Sequence, residues 1–408
     1  MSDLRFGTRL VHFDAAPGDP HRPVTTPIYQ TTTFSQQSAL NPGEFDYSRS
    51  GNPTRSVLEQ QIARLEGAER AFSFSSGMAA ISAVCRLVGC GGEILAGDDL
   101  YGGSYRLLSR ILKRYGVIVR YVDTTDLETL QHEIGPQTKL VLVETPTNPL
   151  QRITDLRRVA DLCHAHGAVL AVDNSLLSPV LQRPLELGAD IVIHSATKFL
   201  GGHSDVSAGV VAVNDPELIE ELYLVQNGEG TALSPMDSWL LLRGTKTLKL
   251  RVRQQQENAR HIADLLTAHP AVDRVFWPGL TNHPGHTLHR SQSSGPGSVI
   301  SFTTGSLADS AAVVDATRLF HTCVSFGSVG SSISVPCRMS HASIPVGVRR
   351  SRQLPEDLVR VSVGIEEPED LVADMERALD AVRPSFAVPS ALNDVGRTAA
   401  NSGALRAK

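Results

Sequence analysis

The sequence predicts an α/β protein: a mostly parallel sheet covered by helices on both faces, followed by a smaller α+β C-terminal domain. Two observations carry this. Short β-branched apolar runs alternate with amphipathic helical segments from Val57 onward, the pattern of strands buried on both faces. After about Arg243 the alternation gives way to long helices and isolated strands. The chain has 408 residues, enough for a full core and at least two domains.

In chain order, residues 1–55 are irregular and rich in Pro, Thr and Gly. An extended segment this polar makes no core of its own and reads as an arm. The helix VLEQQIARLEGAE ends at a glycine, and the strand AFSFSS and the helix GMAAISAVCRLV follow. GGEILAG is a turn and a strand. KLVLVETPTNP is a buried strand ending in a turn. LRRVADLCHAHG is a helix closed by glycine, and AVLAVDNS and DIVIHS are strands. These define a domain over 56–244. The long helix RVRQQQENARHIADLLTAH opens a second domain over 245–384, with VDRVFWPGL, GSVISFTTG and LVRVSVGI as strands and EDLVADMERALDAV as the closing helix. Residues 385–408 are small and polar, the composition of a disordered tail.

A net charge of -5 argues against a nucleic-acid-binding surface. No apolar stretch approaches the ~20 residues of a membrane span. The N-terminal MSDLRFGTRLVHFDAAPGDPH has neither the apolar core of a signal peptide nor a transit-peptide composition, and the five cysteines lack CxxC spacing. Together these predict a cytoplasmic protein with reduced thiols. His283, His286 and His289 form H-x-x-H-x-x-H, but Pro284 and Gly285 interrupt it and no carboxylate completes a metal site, so a connecting loop is expected. The basic run from Lys246 to Arg253 reads as one solvated helix face.

Ligands of an open α/β sheet bind beyond the carboxyl ends of its strands. Four segments place chemistry there. Ser75-Ser76-Gly77-Met78 lies between a strand and a helix, and its amides suit an anion; taken alone, an ordinary helix start capped by Ser75 or Ser76 is the simpler reading. Asp173 follows VLAV, where an acid also orders turns, and Asn148 sits in the turn TPTNP. Lys198 follows an apolar strand and stands among hydroxyls and glycines in HSATKFLGGHSDVSAG, an unusual setting for a side chain that is rarely buried without a role. A phosphate cradle, a carboxylate and a lysine together fit pyridoxal 5'-phosphate. The lysine binds its aldehyde, the carboxylate its pyridine nitrogen, and Ser195 and Thr197 flank Lys198 closely enough to donate to its phosphate.

The motifs YSRSGNPTR, SSGMAA, DDLYGGSYR, ETPTNPL, VDNS, HSATKFLGGHSDVSAG and RVSVGIE occur in the order found in the pyridoxal-phosphate enzymes of cysteine and methionine transsulfuration. The resemblance spans about residues 8–382. It is closest to the plant-type cystathionine β-lyases through SPVLQRPLELGADIVIHSATKF, QQQENARHIA, NHPGHTLH and SFGSVGSSISVPCRMSHASIP.

The resemblance implies the pyridoxal-phosphate-dependent transferase fold of type I and assigns roles. Lys198 would anchor the cofactor and move protons. Asp173 would hold the pyridine nitrogen. Gly77, Met78, Ser195 and Thr197 would bind the phosphate, with Tyr47 and Arg49 supplied by the arm to a neighbouring subunit's cofactor. Tyr101 would stack on the ring and serve in catalysis, and Arg360, with Asn148 and Ser325, would hold the substrate carboxylate. The implied reaction is β-elimination of L-cystathionine to homocysteine, pyruvate and ammonia in a homotetramer built as a dimer of dimers. The alternatives are a γ-acting enzyme of the cystathionine γ-synthase or γ-lyase type, on cystathionine, a related thioether or an O-acylhomoserine, and, of a different class, a non-catalytic α/β binding protein. Several γ-acting members carry Glu in the stretch SFGSVGSS, where this chain is expected to place Gly330, and methionine-degrading members carry Cys where it has Gly103.

Overall fold

The computed structural model describes residues 4–382, so the expected tail over 385–408 lies outside the described residues. A seven-stranded sheet is built from β1 (Arg70–Phe74), β2 (Glu93–Gly97), β3 (Ile118–Val122), β4 (Thr138–Glu144), β5 (Val169–Asp173), β6 (Ile191–His194) and β7 (Gly209–Val213). Their spatial order is β1-β7-β6-β5-β4-β2-β3. All strands run parallel except β7, which is antiparallel to both β6 and β1. The sequence reading passes over two of these strands, β3 and β7. β7 reverses direction because only a loop joins it to β6, and a parallel partner needs a crossover element.

Both faces of the sheet are covered because successive strand residues point to opposite sides. Leu140 and Leu142 of β4 enter one apolar cluster with Ile191 and Ile193 of β6, while Val141 and Val143 enter another with Leu170 and Val172 of β5. The helix Pro53–Glu66 starts at a proline after the Asn52 cap and ends at Gly67, whose φ of 74° is the left-handed turn that glycine tolerates.

The second sheet has the order β10-β11-β12-β9-β8, from β8 (Arg274–Phe276), β9 (Val299–Thr303), β10 (His321–Thr322), β11 (Ser332–Ser334) and β12 (Val359–Ser362). Val359 and Val361 pack into a core with Ile262 and Leu266 of the helix Leu248–Ala268 and with Leu371 and Met375 of the helix Pro368–Asp380. By strand alternation the residue between them, Arg360, belongs to the opposite face, and it lines the cavity described below.

Two surface features resolve differently. The basic run is not wholly solvated: Arg251 is 4% exposed and donates to the carbonyls of Phe199 at 2.7 Å and Gly244 at 2.9 Å. It therefore braces the turn after Lys198. In the histidine segment, the helix His286–Gln292 begins directly after Gly285 and His289 bonds to the Gly295 carbonyl. Among the described residues no group of three or more His, Cys, Asp or Glu is placed to hold a metal, and no helix is long and apolar enough to cross a membrane.

Candidate active site

The carboxyl ends of β4, β5 and β6 open into a cavity of about 370 Å³. The parallel register sets Glu144 beside Asp173 and Asp173 beside Ile193, so the carboxyl ends of three neighbouring strands lie side by side. The far wall comes from the second sheet and the loop before β11, through Arg360, Val324, Ser325 and Phe326.

Lys198, on the loop between β6 and β7, faces this wall. Its Nζ donates to Ser325 Oγ at 2.7 Å and sits 5.0 Å from the centre of the Phe326 ring. Burial first, and then the Arg360 charge, lower its pKa from the usual lysine range to about 8. Ser325 has φ of 89°, a conformation unusual for a residue with a side chain. That backbone turn allows its hydroxyl to meet Lys198 while its carbonyl accepts from Arg360 Nη2 at 2.9 Å. Arg360, 3% exposed, donates through Nη1 to Asn148 Oδ1 at 2.9 Å. Lys198, Ser325, Arg360 and Asn148, far apart in sequence, thus form one connected unit.

On the opposite side, Asp173 Oδ1 accepts from the Ser175 amide at 3.0 Å and the Ser175 hydroxyl at 2.5 Å. Burial raises its pKa, and these two bonds oppose the shift. Ser76 caps the helix Gly77–Arg86 through Ala79 N, and the first amides of that helix, Gly77 and Met78, have no intrahelical acceptors. A Cβ on Gly77 would stand 2.7 Å from Ser195 Oγ, so a side chain there would fill the space beside Ser195. Thr197 lines the cavity, yet its hydroxyl already accepts from Ala208 N at 2.9 Å and lies 3.2 Å from the Ala208 carbonyl.

Tyr101 is at the mouth, 37% exposed, with His341 edge-on at 6.4 Å. Any side chain on Gly103 would collide with the Tyr101 ring, which gives Gly103 a reason of its own. Tyr47 and Arg49 stand outside this chain's cavity; both are exposed, with Arg49 held over the Tyr47 ring at 5.3 Å and bonded to Asn227. Gly330 is a correction. It does not line the cavity, and a Cβ there would face only His321 at 3.9 Å and Glu366 at 4.0 Å. In that neighbourhood Val324, Ser325 and Phe326 line the cavity instead.

Sequence reasoning overlooks Glu144, Ser175 and Val324. A signal exists for the first two: each lies in a quoted motif within two residues of a strand end. Nothing local marks Val324.

The residues present fit a pyridine-ring phosphate cofactor. A lysine amine, a carboxylate with one oxygen pinned, and a helix N-terminus with a side-chain-free first residue converge on one space. The family described as Cys/Met metabolism PLP-dependent enzyme matches residues 7–380. The chain is 58% identical over 371 residues to the chloroplastic cystathionine β-lyase of Arabidopsis thaliana, covering 91% of this chain and 80% of that protein. It is 47% identical over 375 residues to a cystathionine γ-lyase of Bacillus subtilis, covering 92% of this chain and 99% of that protein. The crystal structure of cystathionine γ-lyase from Lactobacillus plantarum complexed with L-serine superimposes with a TM-score of 0.91 at 40% identity, over 93% of this chain and 99% of that one.

Proposed function

The chain belongs to the pyridoxal-phosphate-dependent enzymes of cysteine and methionine metabolism, and from that premise we propose that it is a carbon–sulfur lyase that splits L-cystathionine by β-elimination into homocysteine, pyruvate and ammonia. The observation that carries the β assignment is the 58% identity to the Arabidopsis β-lyase over 91% of the chain. The cavity agrees: residues 324–326 present Val324, Ser325 and Phe326 and no acid.

When bound, pyridoxal phosphate supplies an electron sink for the pair left at Cα. The chain's own residues do the rest. Lys198 would bind its aldehyde, Asp173 its ring nitrogen, and the Gly77 and Met78 amides with Ser195 its phosphate. Arg360, held by Asn148 and Ser325, presents a guanidinium for the substrate α-carboxylate. Lys198 Nζ, lowered to about 8 by burial and by Arg360, takes the Cα proton and returns it to the departing sulfur. Ser325 Oγ aims that amine. Val324 and Met339 offer an apolar flank to the distal half of the substrate, and Arg106 a cation for its far carboxylate.

The exposed pair Tyr47 and Arg49 supports an assembly in which the arm completes a neighbour's phosphate site, a homotetramer of two such dimers. All five cysteines are free, which supports the cytoplasm as the compartment.

Incubation of the purified enzyme with L-cystathionine should yield pyruvate and a free thiol in equal amounts. Mainly 2-oxobutyrate would refute the β assignment.

A further inference from the structure

Two carboxyls end adjacent strands at this cavity, Glu144 on β4 and Asp173 on β5, paired directly in the register. Like charges this close disfavour joint ionisation. Their surroundings differ. Asp173 Oδ1 takes two bonds from Ser175, the amide at 3.0 Å and the hydroxyl at 2.5 Å. Glu144, 7% exposed, takes one long bond, from Tyr101 N at 3.2 Å.

The direction of the Ser175 bonds is settled by a third. Ser195 N lies 2.6 Å from Ser175 Oγ. An amide can only donate, so Ser175 Oγ accepts there and its single proton goes to Asp173. Oδ1 thus accepts two bonds, and hydrogen bonds to the charged form favour it; the carboxyl lines the cavity.

We propose that Ser175 is a positioning residue that decides which of these two carboxyls bears the charge: its amide and hydroxyl hold Asp173 ionised and leave Glu144 protonated. The consequence is functional on both sides of the site. Asp173 is then available as the anion for a pyridine nitrogen. A neutral Glu144 neither competes for that cation nor neutralises Arg360, which stays free for a substrate carboxylate.

Burial raises the pKa of both carboxyls, and the groups facing them oppose this more at Asp173 than at Glu144. His194 on β6 and Lys198 favour an ionised Asp173. Asp99, before Tyr101, disfavours an ionised Glu144, and Arg360 on β12 opposes this without overcoming burial. The pKa of Glu144 accordingly lies well above the usual carboxylate range, through burial first and the Asp173 charge second.

The inference rests on the pyridoxal phosphate reading, and the experiment separates the two. The holoenzyme is titrated with acid while the visible absorbance of bound pyridoxal 5'-phosphate and its retention on dialysis are followed. Ser175→Ala should move the acid limb of both to higher pH by about one unit, a roughly tenfold loss of affinity on the acid side. Ser175→Thr, which keeps the hydroxyl, should hold the wild-type limb. Adding Glu144→Gln to Ser175→Ala should return the limb part-way. In the infrared at pH 7, wild-type holoenzyme should show a protonated-carboxyl band that Glu144→Gln removes. An unmoved limb in Ser175→Ala, a limb moved as far in Ser175→Thr, or an infrared spectrum unaltered by Glu144→Gln overturns the inference. Wild-type protein that takes up no cofactor would instead fail the cofactor reading.

Discussion

Ser325 meets Lys198 and Arg360 at once: its hydroxyl accepts from Lys198 Nζ at 2.7 Å and its carbonyl from Arg360 Nη2 at 2.9 Å. The residue that aims the proton-moving amine therefore also fixes the guanidinium set for the substrate. It does so from a backbone with φ of 89°. Ser325→Ala should lower kcat about tenfold, the worth of one hydrogen bond to a charged group. Ser325→Gly should lose the same activity yet melt at a higher temperature than Ser325→Ala, because glycine adopts this φ without strain. Paired steady-state kinetics and thermal melts check both halves; equal melting temperatures would refute the strain argument.

Lys198 should set a pH dependence on cofactor uptake. Burial and Arg360 lower its pKa to about 8, and the neutral amine is the nucleophile. Uptake of pyridoxal phosphate by cofactor-free protein should rise about tenfold per pH unit below 8 and level off above it. The unfolded chain, with an ordinary lysine, binds more protons between about 8 and the usual value of 10.5. This group's contribution to stability therefore increases with pH across that window. Stopped-flow uptake measured against pH gives the midpoint directly.

Arg360→Lys should cost roughly a hundredfold in kcat/KM. A lysine keeps the charge but cannot bond Asn148 and Ser325 while also presenting a planar fork to a carboxylate. If the loss lies in KM with kcat preserved, the residue binds ground state and transition state equally.

Arg251→Leu should reduce stability by about 3 kcal/mol, since it strands the buried carbonyls of Phe199 and Gly244. Gly202, with φ of 73° and no room for a Cβ beside Arg251, should tolerate alanine no better. Urea unfolding of both variants should show a lower midpoint with an unchanged slope.

Gly77→Ala should fold but fail to retain the cofactor. Its Cβ would stand 2.7 Å from Ser195 Oγ, in the cradle of the phosphate. Absorbance after dialysis reads the loss, and retention equal to wild type would exclude Gly77 from that cradle.

The sequence alone determined the strand-and-helix alternation, the lysine, the aspartate and the helix N-terminus, because each is written locally. Apolar periodicity reports burial, and Gly67 and Asn52 mark the ends of a helix by backbone chemistry that needs no distant partner. Resemblance added the Arg360 and Ser325 roles. Tertiary structure decided what depends on pairing between distant segments. The register of β4 with β5 made Glu144 a neighbour of Asp173. The reversal of β7 placed Ala208 against Thr197, whose hydroxyl the resemblance assigns to the phosphate. Packing of the helix Leu248–Ala268 buried Arg251 beneath the lysine turn. Folding of the loop before β11 brought Val324, not Gly330, to the cavity. A charge or a methyl group has the same local pattern whether it faces solvent or a strand end, and only the fold says which it faces.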